Sequence, residues 1–199
     1  MIPKILHQIW IGDEKKMPRD HMETWKTLHP TWEYKLWTES EIAEFNLTNI
    51  NTYNRYYKDK CYNGCANILR VEIINQFGGI YVDADSVCTN PMDDLTFLDF
   101  FAVYSPNIKN RVGNAFFGTT KEHPALKMYI DKISKLKTIH PSWSTTGGTL
   151  WGKVIKKLNL VDKILPSYSF YDKSLRGKDV EVVGKNYGTH YWGTTRKSY

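Results

Sequence analysis

Cysteine is scarce in this chain: Cys61, Cys65 and Cys88 are the only three in 199 residues. An odd, low count excludes a disulfide scaffold and points to a reducing compartment. Cys61 and Cys65 could share a helical face, but no nearby His or further Cys completes a zinc set, so they read as plain thiols. Long apolar runs are missing too, which excludes a membrane-spanning helix. Met1-Ile2-Pro3-Lys4 lacks the apolar stretch of a signal peptide, and the chain reads as complete and cytoplasmic. Clustered charge is also sparse. Lys15-Lys16 and Lys156-Lys157 are the adjacent lysine pairs, and no basic–aromatic module of the RNA-binding kind occurs. The net charge of +6 and pI of about 9.0 therefore read as a solvated basic surface. Peripheral contact with an anionic membrane leaflet is compatible with it; a nucleic-acid partner is not expected.

Other features are plentiful. Hydrophobic residues make up 41% of the chain and aromatics 14%, with seven Trp and thirteen Tyr. That is enough for a core and for stacking against a sugar or a base. The length suggests one domain over residues 1–199.

The stretch that organises the chain is Phe77-Gly78-Gly79-Ile80-Tyr81-Val82-Asp83-Ala84-Asp85. Paired glycines break a helix because they accept positive φ and add backbone entropy. Ile, Tyr and Val then favour a strand. Alternation along a strand predicts that Asp83 and Asp85 face the same way. Two carboxylates brought together repel, and a divalent cation relieves the repulsion. Hard oxygen ligands suit Mg²⁺ or Mn²⁺, which also bind phosphate oxygens. The pattern thus points to an Asp-x-Asp metal–diphosphate site.

Around this stretch the periodicity alternates between strand and helix. Ile5 to Gly12 reads as a buried strand ending in a turn, with His7 and Gln8 as polar interruptions that need partners. On the residues alone, a satisfied structural His7 is favoured over a catalytic one. Arg19 to Leu28 reads as a helix stopped by His29-Pro30, and Trp32 to Trp37 as a strand. Thr38 and Glu41 form a capping-box pattern opening a helix to about Phe45, and Asn46 to Asn54 reads as an Asn-rich loop. A helix is expected from Asn63 to Phe77, with Ala66, Leu69, Ile73 and Phe77 on one face and Asn67 and Arg70 together on a neighbouring one. Strands are expected at Phe100–Tyr104, Asn114–Gly118 and Val180–Val183, and helices from Pro124 and from the Gly147-Gly148 step. The tail carries His190, Trp192, Arg196 and Lys197 among glycines.

These blocks together resemble the Asp-x-Asp sugar-binding glycosyltransferases, carbohydrate-active family 32, which include capsular sugar transferases and the yeast initiating mannosyltransferase. Ile2 to Trp10 is similar to the family's first strand and Trp32 to Trp37 to its second. Cys65 to Arg70 followed by Gly78 to Asp85 is similar to its central block, and His190-Tyr191-Trp192 to its closing block. The glucosylating domains of large bacterial toxins share these blocks within longer chains.

The resemblance implies an α/β GT-A fold, a Rossmann-like nucleotide-sugar-binding sandwich with a mixed central sheet. It implies a metal-dependent (Mn²⁺ or Mg²⁺) retaining hexosyltransferase acting in polysaccharide or glycoconjugate synthesis. The donor would be a nucleoside-diphosphate sugar, a UDP- or GDP-sugar. The acceptor would be a hydroxyl of a glycan, lipid-linked sugar or protein. Donor-binding positions carried over are His7, Gln8, Ile9, Trp10 (stacked on the base), Asn67, Arg70, Tyr81, Asp83 and Arg196. Asp85, Asp83 and His190 would hold the metal. Asp83, Asp85 and Trp192 would carry catalysis, Trp192 as an indole N–H donor to the leaving diphosphate. Asn67 departs from the family, which has Asp there. A neutral amide both donates and accepts where a carboxylate only accepts, so a binding module without turnover is the alternative reading.

Overall fold

A computed structural model describes residues 1–193. Six strands form one sheet: β1 (Ile5–Ile9), β2 (Glu33–Trp37), β3 (Gly79–Val82), β5 (Phe100–Tyr104), β6 (Val112–Thr119) and β7 (Ile164–Leu165), in the order β2-β1-β3-β6-β5-β7. The β2, β1 and β3 strands run parallel, β6 is antiparallel to both β3 and β5, and β7 is parallel to β5. The sheet is therefore mixed. A second, two-stranded sheet pairs β4 (Ser86–Cys88) antiparallel with β8 (Gly188–His190).

Strand alternation divides the core between the two faces of the large sheet. Tyr81, Phe100, Ala102 and Phe117 pack on one side with α4 (Tyr62–Phe77), α5 (Pro124–Ser134) and α7 (Gly148–Lys157). Leu6, Ile80, Val82, Phe101, Val103 and Phe116 pack on the other. There they meet Trp25 of α1 (Arg19–Leu28), Cys88 of β4 and the aromatics Phe170, Tyr171 and Tyr187. This is the GT-A α/β sandwich.

Several boundaries follow directly from local chemistry. At Thr38 the backbone N–H donates to Glu41 Oε2 at 2.8 Å, as the capping pattern at the start of α2 (Glu39–Ala43) requires. Gly78 and Gly79 end α4 and enter β3 with φ of 69° and 102°. A Cβ on Gly79 would lie 2.5 Å from the Ile5 carbonyl oxygen, so β1 and β3 approach closely only because glycine stands there. Among the described residues, no helix is long and apolar enough to cross a membrane.

Tertiary packing overrode the sequence pattern in four places. The Asn-rich stretch expected as a loop instead starts α3 (Ile50–Lys58). Its poor intrinsic helix propensity is outweighed by Tyr53 and Tyr56, three residues apart and both buried, each contributing roughly 2 kcal/mol of apolar burial. Glu72 of α4, itself buried, accepts the Thr48 and Asn49 N–H groups at 2.6 and 2.9 Å and anchors the start of that helix. Helix α4 has no single apolar face, because it is buried nearly all round. The late strand is β8; Val180–Val183 is irregular, with Val182 and Val183 exposed. Finally, β3 stops at Val82, and Asp83-Ala84-Asp85 is a turn between β3 and β4.

Candidate active site

The turn after β3 sits at the floor of a cleft of about 1240 Å³. Its backbone is fixed from three directions. The Asp83 N–H donates to Ala115 O at 3.0 Å. Gln8 Nε2 and Ser86 Oγ both donate to Asp83 O. On the far side, the Tyr191 N–H donates to Asp85 O at 2.9 Å. The pairing of Ser86 with His190 across β4 and β8 then carries the imidazole to the two carboxylates.

The resulting cluster is tight. His190 Nε2 lies 3.0 Å from Asp85 Oδ1 and 3.3 Å from Asp83 Oδ2. One ligand atom from each of the three residues falls within 4.8 Å of the others. The convergence was expected, but its cause differs. Strand alternation does not align the two aspartates; the turn and the β4–β8 pairing do. Asp85 Oδ2 also accepts the Gly193 N–H at 2.6 Å.

Asp83 is held by a second set of groups. Arg70 Nη1 reaches its Oδ1 at 3.1 Å, and Tyr81 Oη donates to the same oxygen at 2.6 Å. The guanidinium lies over the Tyr81 ring, 4.5 Å from its centroid, and also donates to the Asn114 and Ala66 carbonyls. Burial opposes charge on Arg70, but Asp83 outweighs it and holds the guanidinium above its usual range. For His190, burial likewise lowers the imidazole pKa, yet the Asp85 and Asp83 carboxylates outweigh burial and raise it to about 9.

A divalent cation fits this donor set. Two carboxylates and an imidazole match Mn²⁺ or Mg²⁺ chemistry. His190 Nδ1 is buried without a hydrogen bond, while its Nε2 faces both carboxylates at 3.0 and 3.3 Å, the position from which a neutral imidazole would ligate a cation held between them.

Of the positions carried over from sequence, Ile9, Trp10, Asn67, Arg70, Tyr81, Asp83, Asp85, His190 and Trp192 all line the cleft. Trp10 is half-buried at one end, its indole N–H donating to Asp13 O at 3.1 Å. Trp192 stacks on Tyr171 with ring centroids 5.4 Å apart and meets His190 edge-on at 4.4 Å. Its φ of 60° is rare for a bulky residue. Its indole N–H is directed to Lys173 O at 3.4 Å.

Two expectations are corrected. His7 and Gln8 do not line the cleft; both are fully buried. His7 Nδ1 accepts the Trp37 indole N–H at 3.2 Å, and its Nε2 donates to Gly78 O at 3.0 Å. Burial lowers its pKa to about 4, so it is a neutral structural histidine bridging β2 and the Gly-Gly break. Gln8 accepts the Tyr34 hydroxyl at 2.8 Å and reaches the Asp83 carbonyl at 3.4 Å; it supports the turn from beneath. Arg196 lies outside the described residues.

Some site residues escaped sequence reasoning. Asn114 Nδ2 donates to Asn67 Oδ1 at 2.8 Å, and Asn67 Nδ2 points to Ser142 O and Thr146 Oγ1 at 3.4 and 3.5 Å. Tyr171 and the Gly193 N–H were also missed. A polar Asn114 ahead of Ala-Phe-Phe was the one visible signal; the rest arise from long-range pairing.

Comparison with known families gives a match that spans the turn. Residues 16–101 match the family described as "Glycosyltransferase sugar-binding region containing DXD motif". The matched segment contains the Asp83-Ala84-Asp85 turn. The chain's relatives include inositol phosphoceramide mannosyltransferase 3 of Schizosaccharomyces pombe, 32% identical over 67% of this chain and 38% of the relative. Inositol phosphoceramide mannosyltransferase 2 of the same yeast is 29% identical over 98% of this chain and 58% of the relative. The chain thus spans less than two thirds of either protein. Among solved structures, the PaToxG glycosyltransferase superposes with a TM-score of 0.63 at 17% identity, covering 79% of this chain and 70% of that one. That likeness concerns the fold.

The free cysteines do not enter the site. Cys65 and Cys88 are buried, and burial raises both thiols to about 12.

Proposed function

We propose that residues 1–199 form one glycosyltransferase domain that moves a hexose from a nucleoside-diphosphate sugar to an acceptor hydroxyl with retention of configuration. One observation carries this reading: Asp83, Asp85 and His190 converge at the floor of a large cleft, beside a buried Arg70, in a chain whose residues 16–101 match the Asp-x-Asp family. Asp85, Asp83 and His190 would hold Mn²⁺ or Mg²⁺, which supplies Lewis-acid stabilisation to a departing diphosphate.

The chain's own groups supply the rest. Trp10, with Ile9 beside it, offers a flat wall for the nucleobase at one end of the cleft. Arg70 is locked by Asp83, Tyr81 and the Asn114 carbonyl, so a fixed cation faces the sugar side of the turn without reorganisation. The indole of Trp192 sits against His190, where its N–H can turn from the Lys173 carbonyl to a leaving diphosphate oxygen. Among the described residues, the carboxylates lining the cleft are Asp13, Asp83, Asp85 and Asp179. Asp83 is engaged by Arg70 and Tyr81, Asp85 by Gly193, and Asp179 by Lys173 at 3.4 Å. Asp13 accepts the Lys15 N–H at 3.0 Å. Each of these carboxylates is held by another group, which supports front-face attack by the acceptor over a covalent intermediate.

The relatives' mannosyltransferase names make mannose the first donor sugar to test and a lipid-linked acceptor the first acceptor class. Three free thiols suit a cytoplasmic location.

A second reading, binding without turnover, is favoured by Asn67, whose amide is already engaged by Asn114 and the Ser142 carbonyl. A panel of UDP- and GDP-sugars with Mn²⁺ separates the two. Metal-dependent thermal stabilisation with slow sugar release, lost in Asp85→Asn, supports transfer. Stabilisation without release under any condition supports the binding module, and no stabilisation by any donor refutes both.

A further inference from the structure

Beyond Asn114 the cleft opens onto a rim made of three chain segments. The loop of residues 105–111 joins β5 to β6. Its Asn107 Oδ1 accepts the Leu175 N–H at 2.7 Å, which ties it to the loop around residues 173–179. Its Arg111 guanidinium lies 4.9 Å from the centroid of the Trp143 ring, which ties it to α6 (Ser142–Thr145). The three segments therefore present one surface.

That surface has two kinds of side chain. Ile108 and Trp143 are 51% and 55% exposed. Lys109, Arg176 and Lys178 are exposed around them, with Arg111 half-buried between. Among the described residues none of these four cations has a carboxylate partner, and the neighbouring Asp179 is paired with Lys173. An exposed indole and an exposed aliphatic group ringed by uncompensated cations match the headgroup–acyl boundary of a membrane. They match nucleic acid poorly, because a phosphate backbone offers Ile108 nothing.

We propose that this rim docks the chain onto an anionic bilayer surface, with Ile108 and Trp143 entering the interface and Lys109, Arg111, Arg176 and Lys178 facing anionic headgroups. The open end of the cleft then faces the lipid. Its use for a lipid-borne acceptor rests on the glycosyl-transfer reading; the docking itself does not.

Vesicle flotation tests this with phosphatidylcholine vesicles with and without phosphatidylserine, at low and high salt. The expected result is binding that requires phosphatidylserine, weakens with salt, and drops about fivefold for each rim cation removed, as in Lys109→Ser or Lys178→Ser. Ile108→Ser and Trp143→Ala should each lose binding at low salt while keeping the wild-type melting temperature to within a few degrees. If Trp143→Ala unfolds the chain, Ile108→Ser decides. The charge-matched control Lys156→Ser, outside the rim, should bind as wild type. No binding to phosphatidylserine vesicles, or equal loss in the control, overturns the proposal. So does a preference for RNA over vesicles in direct competition. Donor hydrolysis in vesicle-free buffer is measured alongside. Hydrolysis without docking refutes the rim alone, and docking without hydrolysis refutes the catalytic reading alone.

Discussion

His190 ties the stability of the metal-free chain to pH. Its imidazole lies between Asp85 and Asp83, at 3.0 and 3.3 Å, and the carboxylates raise its pKa against the effect of burial. A pKa raised in the folded state means that folding favours the protonated ring. The stabilisation is complete below pH 6.5, the unfolded value, and drains away as pH rises through about 9. That interval corresponds to roughly 3.5 kcal/mol, at about 1.4 kcal/mol for each pH unit. The assay is urea unfolding in EDTA at pH 6, 7.5 and 9, comparing wild type with His190→Gln, which keeps a polar side chain but does not titrate. The difference between the two curves isolates the histidine from other titrating groups. Wild type should lose most of its advantage between the lowest and highest pH. Metal ligation needs a neutral imidazole, so Mg²⁺ should stabilise the chain increasingly over the same window. Parallel curves for wild type and variant would refute the argument, because the two carboxylates would then not be holding a proton on the ring.

Three further outcomes are expected. Arg70→Lys should fold yet lose about tenfold to a hundredfold of donor hydrolysis, because an ammonium cannot hold Asp83 and the Asn114 carbonyl in one plane; steady-state rates across donor concentrations would show the loss in kcat. Gly79→Ala should destabilise by more than about 1 kcal/mol, since φ is 102° and the new Cβ meets the Ile5 carbonyl oxygen; a wild-type urea midpoint would contradict it. Tyr56→Phe should cost about 1–2 kcal/mol by thermal unfolding, since the buried hydroxyl donates to the Ile139 carbonyl and meets Thr145 Oγ1 at 2.9 Å.

The local punctuation of the fold was legible without any structure. Gly78-Gly79 marks the end of α4 and the start of β3, because positive φ is open to glycine at little cost. His29-Pro30 stops α1, and Thr38 with Glu41 opens α2, because these are contacts within a few residues. The Asp-x-Asp pattern at Asp83 and Asp85 was readable from residue type and spacing, whereas the parts given to Arg70 and His190 came from the family resemblance.

Tertiary structure decided how those residues meet. The two aspartates share a site because β4 pairs with β8, more than a hundred residues later in the chain, and brings His190 onto the turn. No local periodicity encodes that pairing. Asn-rich α3 became a helix because Tyr53 and Tyr56 found a core and Glu72 anchored its start. His7 left the site for the interior because Trp37 and the Gly78 carbonyl satisfy both of its nitrogens. Short-range backbone rules act through neighbours in sequence and can be read from it. Burial, ion pairing and the rim of the cleft depend on neighbours in space, which the folded chain alone brings together.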